Sequence, residues 1–525
     1  MTNIPYRLPL LKEAQYEMLM NTPDAFTPDG RWVIGETPEV ANYFVCVGMN
    51  GNSLQGAAGV GKAVADWIAN GRTPGGCQEF EVARFTSLHN NLRFLQKRTA
   101  EVVGRHYQLK YPFVDEFKTA RGIRTSAIYS ELKARGAVFG ERMGWERPLY
   151  FMPHHSREDP PEKIPPLSFG KPEFFEHIED EYLVCREGVG LIDMSSFAKF
   201  LIKGEEAVAY MQKLCCNNVD IPIRTITPSV MLNESGTYEN DCLVLRRNEK
   251  SLMMVCPTQQ QTRILDWLEN HLQGFKSVSL QDITSMYTVL TLVGPKAKDL
   301  MAEMCETEIN LTPLTFRFFN MSYASGVMAM AITQTGEPGY SLYVPTESAL
   351  HLYDKLMRVG ANYGIRNVGL LAMRFLRIER FIPFWGDELN ADSNPFETGR
   401  GGKVMVNKGD FIGREAIMRI KDQGVVKRLA QFHLLNFDKD KDLWPGGGEA
   451  LYRNGEYVGY VTNTAYGFTL EKMVCLGFVQ HPDTFKGQPR VLENSWLLDR
   501  KAQWAINIAG QMVSYLIYHS TSFSN

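Results

Sequence analysis

The chain has 525 residues, of which 44% are hydrophobic and 11% aromatic, and its formal net charge at pH 7 is −3. Because single hydrophobic cores stop growing near about 250–300 residues, this length predicts about two to four domains. The 56 basic and 59 acidic residues leave no polybasic surface for nucleic acid or anionic lipid, and no apolar run approaches the roughly 18 residues that cross a bilayer.

The cysteines and the first residues bear on the cellular compartment. The nine cysteines are scattered, mostly inside apolar runs, and form no C-x-x-C pair. They predict buried thiols in a reducing compartment and no metal site. The opening MTNIPYRLPLLKEAQYEML has neither the apolar segment of a secretory signal nor the Arg-rich, acid-poor pattern of a mitochondrial presequence. This predicts either a cytosolic protein or a natural start that lies upstream.

Residues 1–95 form the first predicted unit. Short strands at Trp32–Ile34 and Tyr43–Val47 lead into a Gly-rich turn and a helix near Lys62–Ala69. The predicted turn carries Gly48, Asn50, Gly51, Gly56 and Gly59. Such a turn at the start of a helix can cradle a phosphate, but this one is not G-x-G-x-x-G and is weak evidence alone.

The motifs GETPEV, GMNGNSL and GKAVADWIANG of this unit resemble the end of the FAD-binding domain in flavoproteins of the dimethylglycine dehydrogenase type. The resemblance implies that residues 1–95 are the C-terminal remnant of an FAD-dependent oxidoreductase domain. Residues 1–50 lack a strand, Gly-rich turn and helix followed by an acid about 20 residues later, the pattern of a dinucleotide site. FAD therefore enters only through the superfamily, and we expect none to be bound.

Residues 100–160 are predicted to be a small linker domain. The run WERP, at Trp145–Pro148, is typical of the domain that follows the FAD domain in the same flavoproteins. An arginine flanked by aromatic residues commonly stacks and pairs locally, so we assign Arg147 to packing.

Residues 167–415 carry the candidate site. A helix at Phe174–Gly188 precedes strands, a helix and a β-hairpin within Met231–Arg247, MLNESGTYENDCLVLRR. Asp241 is predicted to lie where the second strand of this hairpin begins. It either caps the turn or meets a cationic or N–H-rich small molecule, and the spacing alone does not decide between them.

This region resembles the folate-binding domain of glycine-cleavage T-protein, an aminomethyltransferase, through its D-x-S, G-x-[DE]-A and L-x-x-N motifs and through the hairpin. In that family the acid at the position of Asp241 contacts the reactive nitrogen of tetrahydrofolate. The resemblance implies a folate-pocket-like or effector-binding site formed by Asp241, Glu337, Tyr340 and Arg377.

Three positions of the implied pocket depart from the family pattern. Pro228 and Gln334 stand where T-protein has tyrosines, and Ser341 stands where it has the glutamate that grips the pterin. A serine hydroxyl cannot replace a charge-assisted pair of hydrogen bonds. The pocket is therefore predicted to be partly dismantled, and we expect no bound folate.

Residues 425–525 alternate polar and apolar positions, with Asn454-Gly455 at a tight turn, which predicts a β-barrel similar to the one that closes T-protein. No internal repeat is apparent in the sequence. The predicted fold class is α+β and multidomain: an FAD-binding oxidoreductase remnant, a T-protein-like folate-binding domain and a C-terminal β-barrel.

Within this superfamily, the motifs DMSSFAKF, GTYENDC, FWGDELN and DLWPGGGEALYRNGEYVG closely resemble the regulatory subunits of pyruvate dehydrogenase phosphatase. The resemblance implies a mitochondrial matrix protein that has no catalytic residues of its own. It also implies a partner, the Mg²⁺-dependent catalytic subunit of the phosphatase, whose response to Mg²⁺ and polyamines the chain would tune. Asp241 and Glu337 are the acids that a polyamine would seek.

Two other functions stay open. The fold and Asp241 favour an FAD- and folate-dependent dehydrogenase of the dimethylglycine or sarcosine type, or an aminomethyltransferase, although fold alone is weak evidence of function. A decayed fragment without activity is the third possibility, since the sequence shows no FAD fingerprint.

Overall fold

The computed structural model describes residue 6 and residues 8–15, 17–18, 22–109, 111–112, 116–152 and 168–518. The predicted linker domain therefore lies partly outside the described residues. None of the helices in these ranges is long and apolar enough to span a membrane.

The α-helices, numbered in chain order, are α1 (Ser53–Asn70), α2 (Leu92–Arg105), α3 (Tyr129–Ala134), α4 (Phe175–Glu187), α5 (Ala207–Leu214), α6 (Gln261–Asn270), α7 (Ala297–Met304), α8 (Ala349–Gly360), α9 (Leu370–Glu379), α10 (Arg414–Gln423), α11 (Pro482–Phe485) and α12 (Asn494–Leu497). Short 3₁₀ segments are Pro9–Glu13, Gln78–Phe80, Val82–Arg84, Ser87–His89, Thr258–Gln260, Thr284–Met286, Thr346–Ser348, Ala361–Tyr363 and Gly401–Lys403.

The strands are β1 (Val33–Thr37), β2 (Val40–Val47), β3 (Ala137–Arg142), β4 (Trp145–Phe151), β5 (Val189–Asp193), β6 (Ala198–Lys203), β7 (Ile226–Leu232), β8 (Tyr238–Asn248), β9 (Ser251–Cys256), β10 (Ser279–Asp282), β11 (Tyr287–Val293), β12 (Phe316–Met321), β13 (Ala324–Met330), β14 (Gly339–Pro345), β15 (Ile365–Asn367), β16 (Lys427–Leu434), β17 (Ala450–Arg453), β18 (Glu456–Gly467), β19 (Lys472–Gln480), β20 (Trp504–Ile508) and β21 (Gln511–Tyr518).

The first unit pairs β1 and β2 antiparallel and packs α1 against them. Helix α1 begins at Ser53, so Gly56 and Gly59 lie inside the helix and the predicted Gly-rich turn is shorter than expected. Gly56 abuts the ring of Trp32, which a Cβ would approach to 2.8 Å. A larger residue at position 56 would therefore collide with this ring.

The β3–β4 hairpin carries the WERP run. The guanidinium of Arg124 stacks over the Trp145 ring at 4.3 Å, and Arg121 forms the ion pair with Glu146 at 2.5 Å. These contacts occupy the local partners that the sequence offered to Arg147. Among the described residues Arg147 has no ion pair and no ring contact, so the local stacking and pairing are made by Arg124 and Arg121, and the assignment of Arg147 to packing stays a prediction.

Two antiparallel sheets form the region from β5 to α10. One has the strand order β10-β6-β9-β8-β7, and the other has the order β12-β13-β14-β11-β5-β15, in which β15 runs parallel to β5. Strand β8 lies between β7 and β9, with Asp241 opposite Val230. The predicted hairpin is confirmed, although Asp241 is the fourth residue of its strand rather than the first.

An internal repeat, which the sequence did not reveal, relates these two sheets. The second half of this region repeats the elements β6, α5 and β7 as β11, α7 and β12, each displaced along the chain by the same number of residues. In this correspondence Gly204 matches Gly294. Cys215 follows α5 and Cys305 follows α7, and each forms an isolated antiparallel β-bridge with the strand that comes next. The copies meet at Thr225 and Thr315, which pair antiparallel with each other. The T-protein-like region therefore contains two related halves around a local two-fold axis.

The C-terminal residues form a closed barrel with the strand order β16-β19-β18-β17-β20-β21. Asn454 and Gly455 have φ values of 51° and 82° in the turn between β17 and β18, as expected for a two-residue hairpin. This confirms the predicted β-barrel. Helix α9 joins the barrel to the two sheets, since Gln431 donates hydrogen bonds to the carbonyls of Ile378 and Glu379.

The repeated glycines give a direct test of the two related halves. Gly204 and Gly294 have φ values of 135° and 134°, and a Cβ would lie 1.8 and 2.3 Å from the backbone oxygens of Ser277 and Gly188. We expect Gly204→Ala and Gly294→Ala each to lower the free energy of unfolding by about 2–4 kcal/mol, through backbone strain and collision.

Urea unfolding followed by circular dichroism measures this effect. The matched control is Gly104→Ala in α2, where an added Cβ would meet no atom within 4 Å beyond the helix's own backbone and the neighbouring residues, and a gain of at most about 1 kcal/mol is expected. Equal urea midpoints for Gly204→Ala and Gly104→Ala would contradict the assignment.

Candidate functional site

Asp241 lies on the middle strand of the β7–β8–β9 hairpin pair, on the face that also carries Leu243 and Leu245. Its side chain is 18% exposed, and its carboxylate forms an ion pair with the Nζ of Lys403, which is 15% exposed. The ammonium group of Lys403 therefore pairs with the carboxylate for which the sequence analysis expected a ligand.

Lys403 reaches Asp241 from the Gly401–Lys403 segment. This segment follows Gly399, whose φ of 72° suits glycine, and it is held against the sheet by the hydrogen bond from the Met405 N–H to the Cys216 carbonyl, 2.9 Å long. Burial lowers the pKa of Lys403, and the carboxylate of Asp241 opposes that shift. Sequence reasoning missed Lys403, since a lysine after a Gly-rich turn gives no sign of which distant acid it meets.

A second acid of β8 is also neutralised internally. Glu239 forms an ion pair with Arg263 of α6, and Arg263 also pairs with Glu81 of the first unit. Burial raises the pKa of Glu239, and Arg263 opposes that shift. This triad ties residues 78–84 to the strand that carries Asp241, and it too was missed.

Glu337 lies in the turn before β14 and is equally engaged. Its side chain is 8% exposed and forms ion pairs with Arg186 of α4 and with Arg380, just after α9. The Thr333 hydroxyl donates to the Glu337 carbonyl at 2.6 Å. Gln334 lies in the same turn and is partly exposed. The acid therefore anchors a turn to two helices.

Tyr340 and Ser341 point to opposite faces of β14. Tyr340 is buried in the core around α7 and α8, and burial raises its pKa. Ser341 donates to the Ile332 carbonyl at 2.9 Å and shares a hydrogen bond with Thr291 at 3.2 Å. Its hydroxyl is thus used within the sheet, and it does not supply the charge that a pterin requires.

Arg377 is almost fully buried in α9 and is committed to the protein itself. Its guanidinium donates to Glu388 at 3.0 Å, to Asp387 at 2.5 Å and to the Ile382 carbonyl at 3.0 Å. Asp387 also accepts from Asn463 of the barrel at 3.0 Å. Arg377 therefore fixes the loop that joins the sheets to the barrel.

The structure does not bring the four predicted pocket residues together by direct contact. Among the described residues, no hydrogen bond or ion pair joins Asp241, Glu337, Tyr340 or Arg377 to another of the four. Pro228, the altered position on β7, lies opposite Leu243 and is two residues before Val230. The residues present do not fit tetrahydrofolate, because the acid that would bind it is paired and the pterin-binding acid is a serine.

The Gly-rich segment of the first unit packs against the residues that precede β1. Gly48 packs on Thr27, whose Cγ2 would lie 2.3 Å from an added Cβ, and the Asn50 Oδ1 accepts the Thr27 N–H at 2.9 Å. Gly51 has a φ of 79° in the same closed turn. Gly48 and Asn50 are therefore engaged with Thr27 of the same chain.

Two cavities border the first unit. One is apolar, with a volume of about 270 Å³, and is lined by Trp32, Gly56, Gly59, Cys77 and Phe80 among others. The other is a polar cleft of about 590 Å³ beside the hydrogen bond from the Gly76 N–H to Asp392, 2.8 Å long. Neither contains the predicted pocket residues Asp241, Glu337, Tyr340 or Arg377.

Comparison with protein families gives three matches along the chain. Residues 70–126 match the FAD dependent oxidoreductase central domain, residues 128–408 match the GCVT N-terminal domain, and residues 427–521 match the glycine cleavage T-protein C-terminal barrel domain. These matches confirm the predicted fold class.

Curated relatives include enzymes and a regulatory protein. The mouse pyruvate dehydrogenase phosphatase regulatory subunit is 42% identical over 98% of this chain and 59% of its own length. Human dimethylglycine dehydrogenase is 30% identical over 90% of this chain and 54% of its own length. The aminomethyltransferase of Desulfitobacterium hafniense is 26% identical over 68% of this chain and 90% of its own length. The chain thus spans little more than half of the first two relatives.

A solved structure has the same fold. Aminomethyltransferase T of the glycine cleavage system from Bartonella henselae aligns with a TM-score of 0.61 at 21% identity, over 77% of this chain and 98% of that protein. This likeness supports the fold.

The ion pair between Asp241 and Lys403 can be tested by a double-mutant cycle. We expect Lys403→Met to lower the free energy of unfolding by about 1–3 kcal/mol, because it leaves a largely buried carboxylate without its cation. The double variant Asp241→Asn, Lys403→Met should recover most of that loss.

Urea unfolding of the four proteins measures the coupling. The control is Lys62→Met, which breaks an exposed pair with Asp66 and should cost at most about 0.5 kcal/mol. If the double variant loses the sum of the two single losses, the ion pair does not stabilise the site.

Proposed function

Because the chain belongs to the glycine-cleavage T-protein family, whose relatives include both enzymes and a regulatory subunit, we propose that it is a non-catalytic regulatory subunit of a pyruvate dehydrogenase phosphatase. The observation that carries this proposal is the ion pair between Asp241 and Lys403. An enzyme of this fold that uses folate needs the acid free for its ligand, whereas a regulator does not.

The chemistry of the other pocket positions supports the same conclusion. The Ser341 hydroxyl donates a hydrogen bond to a backbone carbonyl, and Glu337 forms ion pairs with Arg186 and Arg380. The mouse regulatory subunit also matches the chain at higher identity than the human dehydrogenase does. These features favour a protein that has the T-protein fold but does not carry out folate-dependent chemistry.

In the proposed function the chain binds the Mg²⁺-dependent catalytic subunit in mitochondria and shifts its response to Mg²⁺. Dephosphorylation of the pyruvate dehydrogenase complex is carried out by the catalytic subunit. A polyamine that acted at Asp241 or Glu337 would have to displace Lys403 or the two arginines, so it would compete with internal ion pairs.

The retained Asp241 favours a second candidate function. A folate- and FAD-dependent dehydrogenase of the dimethylglycine type would need Lys403 to withdraw from that acid. The two functions give opposite results in one experiment, because only the second requires bound flavin.

We expect the purified chain to change the Mg²⁺ concentration that half-activates a pyruvate dehydrogenase phosphatase catalytic subunit, by at least about twofold, the size of a coupling of roughly 0.4 kcal/mol. The assay follows dephosphorylation of the pyruvate dehydrogenase complex against Mg²⁺, and flavin absorbance of the chain is recorded separately. A T-protein aminomethyltransferase, added at the same concentration, is the control for the shared fold.

An unmoved Mg²⁺ curve would contradict the regulatory function. If the Mg²⁺ dependence is unchanged and the chain shows flavin absorbance, the dehydrogenase is favoured. If the Mg²⁺ dependence is unchanged and no flavin absorbance is seen, a chain with neither activity is favoured.

A further inference from the structure

The apolar cavity of the first unit lies where three of its segments meet. The start of β1 supplies Trp32 and Ile34, helix α1 supplies Gly59 among others, and the segment that follows the helix supplies Cys77 and Phe80. The volume of the cavity is about 270 Å³. Because an apolar cavity of roughly 150 Å³ already holds benzene, this space is large enough for a ring-sized molecule.

Gly59 keeps the helical side of the cavity open. It lies inside α1, and an added Cβ would meet no atom within 4 Å beyond the helix's own backbone and the neighbouring residues. Since glycine is a poor helix former, a residue with a side chain would fit at this position and would favour the helix. The packing of α1 therefore does not require a glycine here, whereas a larger side chain would take up space in the cavity.

Two aromatic rings line the same space. The centroids of the Trp32 and Phe80 rings lie 5.8 Å apart, with an angle of 29° between their planes. Trp32 lies directly against α1, because a Cβ added to Gly56 would come within 2.8 Å of its ring. Aromatic rings attract a further ring through offset stacking or edge-to-face contact, so these walls favour an aromatic ligand over an aliphatic one.

The polar groups of the cavity suit a neutral ligand. None of the described residues that line it is an acid, a lysine or an arginine, and the polar side chains among them include the Gln55 amide and the Cys77 thiol. Burial raises the pKa of Cys77, and the nearby charge of Asp392 adds to that shift, so the thiol stays protonated at neutral pH. A charged ligand would lose its hydration in this cavity without gaining an ionic partner.

We propose that the cavity between Trp32, Gly59 and Phe80 is a binding site for a small neutral aromatic molecule of about the size of indole. The ligand contacts the two rings and covers the backbone of α1 at Gly59. This site lies in the first unit and contains neither Asp241 nor Glu337, so it does not depend on the regulatory function being correct.

The Cys77 thiol reports on occupation of the cavity in the unmodified full chain. Iodoacetamide alkylates accessible thiols, and mass spectrometry follows each cysteine separately. We expect saturating indole to slow the alkylation of Cys77 at least about fivefold, because the bound fraction of the chain is protected. Cys46 is exposed in β2 and does not line the cavity, so its rate should not change. Indole-3-carboxylate, which carries a charge on the same ring, should protect neither thiol.

A pair of glycine variants tests the place of binding. Gly59→Leu fills the cavity from α1, and it should abolish the effect of indole on Cys77. The matched control is Gly61→Leu in the same helix, where an added Cβ also meets nothing within 4 Å but the residue does not line the cavity. Gly61→Leu should keep the protection in full. Both variants should unfold at a temperature no lower than that of the wild-type chain, because leucine favours the helix.

Several results would overturn the proposal. Wild-type Cys77 that indole does not protect, or equal protection of Cys46, would show that the cavity holds no such ligand. Protection that persists in Gly59→Leu would place the effect elsewhere, and equal protection by indole-3-carboxylate would contradict a neutral ligand. A lower unfolding midpoint for Gly59→Leu than for Gly61→Leu would show that the space beside Gly59 is packed rather than open.

Discussion

Charges taken out of water need a partner, and this constraint decides what the interior of the chain can bind. In a pocket that recognises a cationic or N–H-rich ligand, the ligand itself supplies that partner. Here Asp241 receives it from Lys403, Glu239 from Arg263, and Glu337 from Arg186 and Arg380. The chain has kept the T-protein fold and has filled its acidic positions with its own cations.

Much of the fold could be predicted from local patterns. Alternation in Met231–Arg247 gave the β7–β8 hairpin, the Asn454-Gly455 turn marked the barrel, and the helix expected at Phe174–Gly188 is present as α4. These features depend on residues close together in sequence, for which periodicity and turn chemistry are direct evidence. The resemblance to T-protein added the order of the domains, which local patterns do not supply.

The rest depends on contacts between distant residues. Helix α1 begins at Ser53, and Gly56 within it fits against Trp32, whereas the internal repeat is visible only through its shared glycine geometry and bridges. Likewise the pairing of Asp241 with Lys403 joins two segments far apart in the chain. In the β3–β4 hairpin, too, Trp145 and Glu146 are contacted by Arg124 and Arg121, which lie more than twenty residues earlier in the chain. The sequence patterns identified the acidic residues but did not identify the cations that form ion pairs with them.

Whether the ion pair with Lys403 leaves Asp241 unable to bind folate is tested most simply by titrating the purified chain with tetrahydrofolate in an isothermal titration calorimeter, beside a T-protein aminomethyltransferase. If Asp241 is satisfied by Lys403 and Ser341 cannot bind the pterin, the chain shows no saturable heat at concentrations that saturate the enzyme. Saturable binding of one folate per chain, lost in Asp241→Asn, would contradict this account and return the protein to the folate-dependent enzymes.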